Sequence, residues 1–406
     1  MSSGKSVKPY QDPSDYSIQL NRWFLTPVGA WPRSASTTFR EKVISTILII
    51  ICYSLISFTV LPCILNILFE ETDMHKKLKA IGPLSHWSMG GMNFFSLLFR
   101  NRQIGRCIQH MKIDWQTVKN SEDRQVMLKY AKIGRFVAGI CAVFMHGGVF
   151  MHSLLQGITP TFEYIGNVSV SVIVLPCPTY SKFIDIGQSP ENKIALTIQL
   201  MSSIVVNSVT VGACSLAAVF AMHACGQLNV LMRWLYQLDD QKQQNTVQRR
   251  LANIVEHHLR VLSFVAQMEE LLNQICFVEL LGCTFNLCML GYYVITGWNV
   301  IEKTTCLSLM LIYISMCFNI FIFCYIGEVV TEQCKQVGET AYMTNWYNLH
   351  HKTARGLILI ISRSSTVIKL TAGKLVHLSI ATFGAVSTRK CISCFVQSIT
   401  FTKRFR

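Results

Sequence analysis

The chain has 406 residues, of which 51% are hydrophobic and 15% charged, with a formal net charge of +15. Soluble domains carry roughly a quarter of their residues as charges, so this composition excludes an ordinary soluble fold. Nor does the basic excess mark a nucleic-acid binder. Many of the Lys and Arg residues fall between apolar runs, where they orient membrane helices.

In chain order, residues 1–42 are polar and include Lys5, Lys8, Arg22, Arg33, Arg40 and Lys42, with no signal-peptide pattern. The first apolar run is therefore expected to direct insertion. Six charge-free runs follow: 43–69, 80–99, 136–162, 194–232, 280–301 and 304–327. Each is long enough to cross a hydrocarbon core of about 20 helical residues. Gly82, Gly90, Gly91, Gly147 and Gly148 read as close helix contacts or pocket positions. Pro160, Pro176, Pro178 and Pro190 make the segment 163–193 an ordered, non-helical lid, because proline breaks helix interiors. No proline follows Pro190, so the second half is expected to run as long helices.

The run 194–232 holds 39 residues, about 58 Å of helix at 1.5 Å per residue, which exceeds the bilayer. After a polar break at 239–248, Leu251, Ile254, Val255, His258, Leu259, Leu262, Val265 and Met268 recur at helical spacing. The stripe continues through Leu271, Leu272 and Ile275. It is expected to form a cytoplasmic stalk that feeds the fifth span. A last apolar run, 375–402, is interrupted by Arg389 and Lys390. It closes the chain with little room for a further domain, which predicts a function inside the membrane.

Seven crossings put the termini on opposite sides. With the N-terminus inside, the inner loops hold 26 Lys and Arg against 9 outside, and the positive-inside rule favours that orientation. It is opposite to that of a G-protein-coupled receptor. The Asn167-Val168-Ser169 sequon then falls outside, making Asn167 a glycosylation candidate. Most of the 16 cysteines lie in apolar runs and act as small apolar residues. Cys63, Cys177 and Cys306 fall near the outer face, where oxidation is possible; a bridge through Cys177 is one alternative. No enzyme constellation appears, and no His/Cys spacing fits a metal. The pairs His257-His258 and His350-His351 read as solvated. The only acidic residue near a span interior, Glu279, is placed near an inner end.

Towards the C-terminus stand Cys324-Tyr325-Ile326-Gly327-Glu328, Tyr342, Trp346-Tyr347, Arg363-Ser364, Leu370-Thr371-Ala372-Gly373-Lys374, Leu378-Ser379 and Phe383. As a set they resemble the C-terminal region of the insect odorant receptors, and the length and span layout match over the whole chain. Two departures stand out: Val367 where many members carry proline, and an ending without the usual tyrosine. The resemblance implies an all-α, seven-helix membrane protein with its N-terminus in the cytoplasm and C-terminus outside. Residues 1–42 form the inner segment. Residues 43–232 hold spans one to four with the outer loop 163–193, 233–274 a cytoplasmic extension, 275–330 spans five and six, 331–374 an anchor, and 375–406 the pore segment.

The function implied is a subunit of an odorant-gated, non-selective cation channel in the plasma membrane of olfactory sensory neurons. It would bind a small volatile and join a shared co-receptor in a heterotetramer, with no cofactor. The loop between spans four and five is short, which points to a tuning subunit rather than the co-receptor. The family places its ligand in the outer half of the spans. At those depths stand Met89, Met92, Phe95, Phe144, His146, Phe150, Met151, Met201, Ile204, Val205, Ser208, Tyr292 and Tyr293. Aromatic and Met side chains suit varied apolar ligands; His146 and Tyr292, with His152 competing, offer hydrogen bonds. The family's pore segment corresponds to the last run, where Lys390, Ser393, Gln397, Thr400 and Phe401 share a face, although Arg389 and Lys390 would oppose cations. The anchor would use Tyr342, Trp346, Tyr347, Arg363, Thr371 and Lys374. A gustatory-type channel would lack the Leu-Thr-Ala-Gly-Lys block. An orphan transporter would show repeats or intramembrane acids.

Overall fold

The computed structural model describes residues 13–33, 37–158, 161–165, 168–172, 175–180, 182, 189–238, 244–297, 303–366 and 368–386. These form α1 (Pro13–Leu25), α2 (Phe39–Leu65, extended by a π-helical turn Asn66–Glu70), α3 (Met74–Phe99), α4 (Asn101–Thr117) and α5 (Ser121–Ile158). A hairpin of β1 (Thr161–Ile165) and β2 (Val168–Val172) precedes α6 (Ser189–Tyr236), α7 (Gln244–Gly297) and α8 (Lys303–Met343). Then come α9 (His351–Ser365), a second hairpin of β3 (Thr371–Ala372) and β4 (Val376–His377), and α10 (Ile380–Gly384).

Local chemistry sets the boundaries. Pro13 opens α1 at a position where no backbone donor is needed. A capping box starts α2, with Thr38 and Glu41 satisfying each other's backbone N–H groups. Asp73 caps α3 by accepting from the His75 N–H at 2.9 Å. The apolar run expected to continue to Phe162 breaks earlier. Helix α5 stops at Ile158 and Phe162 lies in β1, because Pro160 disfavours helix in the residue before it. In the expected lid, Thr161 pairs with Val172 and Ile165 with Val168, antiparallel. Past Pro190 the helices α6, α7 and α8 have 48, 54 and 41 residues. The amphipathic stripe from Leu251 runs without a break into the apolar half of α7.

Among the described residues, four helices are long and apolar enough to cross a membrane: 39–70, 191–236, 246–296 and 305–343. Helix α3 has the length but is interrupted by His86, Ser88 and Asn93, and α5 holds the charge-free run from Phe136 onward, part of whose side chains lie outside the described residues. The most apolar stretch of α6 is 89% buried, against 28% to 39% in the other three. The long charge-free run is therefore the centre of the bundle, wrapped by α1, α2, α3, α5, α7 and α8. Small residues allow the close approach. A Cβ on Gly134 of α5 would come within 3.3 Å of Met222, and one on Gly212 of α6 within 2.4 Å of Leu25.

Within the polar N-terminal segment, α1 packs beside α6. Its face Ser14, Ser17, Ile18, Asn21 and Leu25 is buried, and Asn21 donates to Ser215 Oγ at 3.0 Å. A turn at Gly29, with φ of +74°, returns the chain to α2.

One ionic cluster joins α4 to α6 and α7. Asp114 is buried, with His223 Nε2 at 2.9 Å and the Arg260 guanidinium at 2.7 Å. Burial opposes the charge. The His223 hydrogen bond and the fields of His223, His110 and Arg260 outweigh it and hold the carboxyl below its usual 3.8. A depressed acid stabilises above the unfolded value and loses that contribution as the pH falls through the folded one. Asp114→Asn should therefore cost about 3 kcal/mol at neutral pH by leaving buried charges unpaired. Thermal melts of detergent-solubilised protein should show the gap from wild type closing as the pH drops below 3.8.

Candidate functional site

Helices α3 and α7 run antiparallel along a seam of paired residues. At one end His75 Nδ1 meets Tyr292 Oη at 3.3 Å, and Lys79 Nζ lies over the Tyr293 ring at 5.2 Å. Further along, Ser85 Oγ donates to Asn286 Oδ1 at 2.7 Å, and Met89 packs so tightly on Gly282 that a Cβ there would meet its sulfur at 2.1 Å. Gly90 gives the same closeness to Val206 of α6, at 2.2 Å. At the far end Arg100 donates to Gln274 at 3.1 Å and to the Glu270 carbonyl at 2.7 Å.

The seam centres on Glu279. Its Oε1 accepts from Asn93 Nδ2 at 2.5 Å, and its Oε2 from Asn319 Nδ2 of α8 at 2.6 Å. The Cys283 thiol donates to Oε2 at 3.8 Å. Glu279, Asn93 and Asn319 are all buried, so the carboxylate ties α3, α7 and α8 far from water. Polar groups inside a membrane protein are costly and mark functional positions.

The same two helices hold the start of the last segment. Ten residues along α7 from Glu279, about 15 Å, Glu269 accepts from Thr371 Oγ1 at 2.6 Å. The Asn273 carbonyl accepts from the Gly373 N–H at 2.7 Å. Gly373 and Lys374 both have positive φ, +61° and +60°, and a Cβ on Gly373 would strike Phe277 at 2.8 Å. Glycine is thus required there twice, by the turn and by the contact. On α8, Glu328 accepts from the Ile380 N–H at 3.3 Å. Gly327 lies under Leu378, and Phe321 meets the Phe383 ring edge-on at 5.4 Å.

The residues proposed from sequence fall into several places. Met89, Tyr292 and Tyr293 belong to the α3–α7 seam. Met92 and Phe95 are exposed and line an apolar groove of about 510 Å³ with Tyr53, Ile56, Trp87 and Val278. Phe144 stacks on Phe318 of α8 at 4.5 Å, and His146 on Phe24 of α1 at 5.8 Å. Met201 and Ile204 are exposed, Val205 is buried and Ser208 half-buried. The side chains of Phe150, Met151 and His152, with Asn167, Val367, Lys390, Ser393, Gln397, Thr400 and Phe401, lie outside the described residues.

Of the residues expected to form an anchor, Tyr342, Trp346 and Tyr347 are exposed, as are Met343, Ile358 and Leu359. Arg363 donates to the Thr366 carbonyl at 3.2 Å. His350 accepts from the Lys352 N–H. His257 and His258 are not solvated: His257 packs on Trp234 at 4.9 Å and His258 is buried, because α7 turns that face onto its neighbours. Sequence reading missed Asn93, Asn319 and Glu269, and named Glu328 only as part of a motif. The one available signal was a lone acid, Glu279, bordering a charge-free run.

A family model described as "7tm Odorant receptor" matches residues 73–388, which include the seam, the Glu279 tie and the hairpin. The chain belongs to the odorant receptor family. Odorant receptor 10 of Aedes albopictus is 24% identical over 57% of this receptor and 67% of its own length. Odorant receptor 82a of Drosophila melanogaster is 24% identical over 55% and 58%. The fold matches the olfactory receptor OR5 of Machilis hrabei in complex with eugenol, with a TM-score of 0.79 at 13% identity. That match covers 95% of this receptor and 100% of the other chain. The receptor is therefore a helical membrane protein of this fold, and not an enzyme.

Replacing Glu279 by Leu strands two buried amides and should cost the receptor about 2 kcal/mol. Glu279→Gln should cost less, since flipping one Asn amide restores both hydrogen bonds. Melting temperatures of the two variants in one detergent check the order.

Proposed function

We propose that this receptor is a tuning subunit of a heteromeric, odorant-gated, non-selective cation channel. It crosses the plasma membrane of an olfactory sensory neuron seven times, with its N-terminus inside, and assembles with a co-receptor. Only seven residues separate α6 from α7, which supports the tuning role. The concentration of exposed large apolar residues in 342–359, Tyr342, Met343, Trp346, Tyr347, Ile358 and Leu359, supports the anchor as the contact between subunits, because exposed apolar surface marks interaction sites.

The observation that carries the reading is mechanical. Helices α7 and α8 hold the buried Glu279 tie at one level and the hairpin that starts the last segment at another. A volatile in the outer half of the bundle, among residues such as Met89, Phe144, His146, Val205 and Tyr292, would bias how α3, α5 and α6 pack on α7 and α8. The bias passes along those helices to Thr371 and Ile380, and from there to a pore face of Lys390, Ser393, Gln397, Thr400 and Phe401. A ligand moves such an equilibrium only by its differential affinity for the two states.

Whole-cell current in cells expressing the receptor with and without a co-receptor, against a panel of volatiles, tests the function. Responses are expected only in the pair. Silence in every pairing overturns the reading. Within a responding pair, Thr371→Val removes a charge-assisted hydrogen bond worth about 1.5 kcal/mol. It should shift the gating equilibrium about tenfold while surface labelling stays constant. An unchanged dose–response curve would remove the hairpin from the gating path.

A further inference from the structure

Two pairs of cysteines lie side by side in the structure. Cys141 of α5 and Cys214 of α6 stand 3.4 Å apart, deep along both helices. Cys63 and Cys177 form the second pair, at the opposite end of α2 from the N-terminal segment. Cys63 is in the last turn of α2, and Cys177 is at a bend in the non-helical piece between β2 and α6. Both are fully buried, in one cluster.

The surroundings bring this non-helical piece onto α2 and α6. Asn66, three residues after Cys63, donates from Nδ2 to the Thr179 carbonyl at 3.3 Å. Gln199 of α6 takes both backbone groups of Cys177: its Nε2 donates to the carbonyl at 2.9 Å, and its Oε1 accepts from the N–H at 3.1 Å. The hydrogen bond with Cys63, followed by burial, pushes the Cys177 thiol up. A buried thiol of that kind reacts slowly, so any oxidation must precede closure of the segment over α2.

We propose that Cys63 and Cys177 are joined by a disulfide in the receptor that reaches the cell surface. The proposal rests on the orientation given above, which places this end of α2 in the oxidising lumen and then outside. The oxidant is a protein disulfide of the secretory compartment. Exchange through a mixed disulfide forms the Cys63 Sγ–Cys177 Sγ bond and breaks the donor's S–S bond, and the two thiol hydrogens end on the donor's sulfurs. The bond fixes the base of the outer loop to α2, and through Gln199 to α6. The Cys141–Cys214 pair lies within the bilayer, out of reach of that oxidant, and stays reduced.

The test uses the full-length receptor, denatured with an alkylating agent and no reductant, digested and read by mass spectrometry. A linked pair of peptides carrying Cys63 and Cys177, separated by later reduction, is expected, with Cys141 and Cys214 alkylated as thiols. Cys63→Ser should expose Cys177 to alkylation, and Cys177→Ser should expose Cys63. Recovery of both wild-type residues as alkylated thiols overturns the proposal. An N-terminal tag stained in the same cells with and without permeabilisation reports orientation separately. A tag seen only after permeabilisation, together with two free thiols, sinks the disulfide while the orientation stands.

Discussion

Inside a bilayer, lipid tails are as apolar as leucine, so burying apolar surface gives helices no reason to prefer each other. Association has to come from close fit and from polar groups that find partners only in one another. Both devices converge where α3, α7 and α8 meet. Gly282 and Gly90 bring backbones close enough that no Cβ fits, and Glu279 accepts from Asn93 and Asn319 in the buried core. Remove the glycines and the helices separate. Remove the carboxylate and two amides are left without an acceptor.

That tie gives the rest of the receptor its logic. Helix α6 carries no charge from 194 to 232 because it is enclosed by protein, and its own glycines and alanines let α1 and α5 approach. The helices that enclose it, α7 and α8, extend beyond any bilayer at 54 and 41 residues. Their extensions grip the second hairpin through Glu269, Asn273 and Glu328. A change in packing at one level of a rigid helix is therefore felt at the other.

The short motif Leu-Thr-Ala-Gly-Lys shows how a sequence signature acquires a physical meaning. Thr371 binds Glu269, Gly373 turns with positive φ against Phe277, and Leu378 seats on Gly327. Each residue has a partner that is remote in sequence. The motif was legible as a string, and so was the family, but its role as a clamp between α7 and the last segment was not.

Hydropathy, the missing prolines after Pro190 and the spacing from Leu251 to Ile275 were enough to give the helical class and the long continuous helices, and the C-terminal motif set carried the family resemblance. These depend on each residue and its near neighbours, which a linear pattern records. The position of α1 beside α6, the burial of His258, the pairing of Glu279 with Asn93 and Asn319 and that of Cys63 with Cys177 were decided only by the tertiary structure. In those cases the partners lie tens to hundreds of residues apart. Which face of a uniformly apolar helix turns inward is set by the shapes of its neighbours, and no periodicity within the helix carries that information.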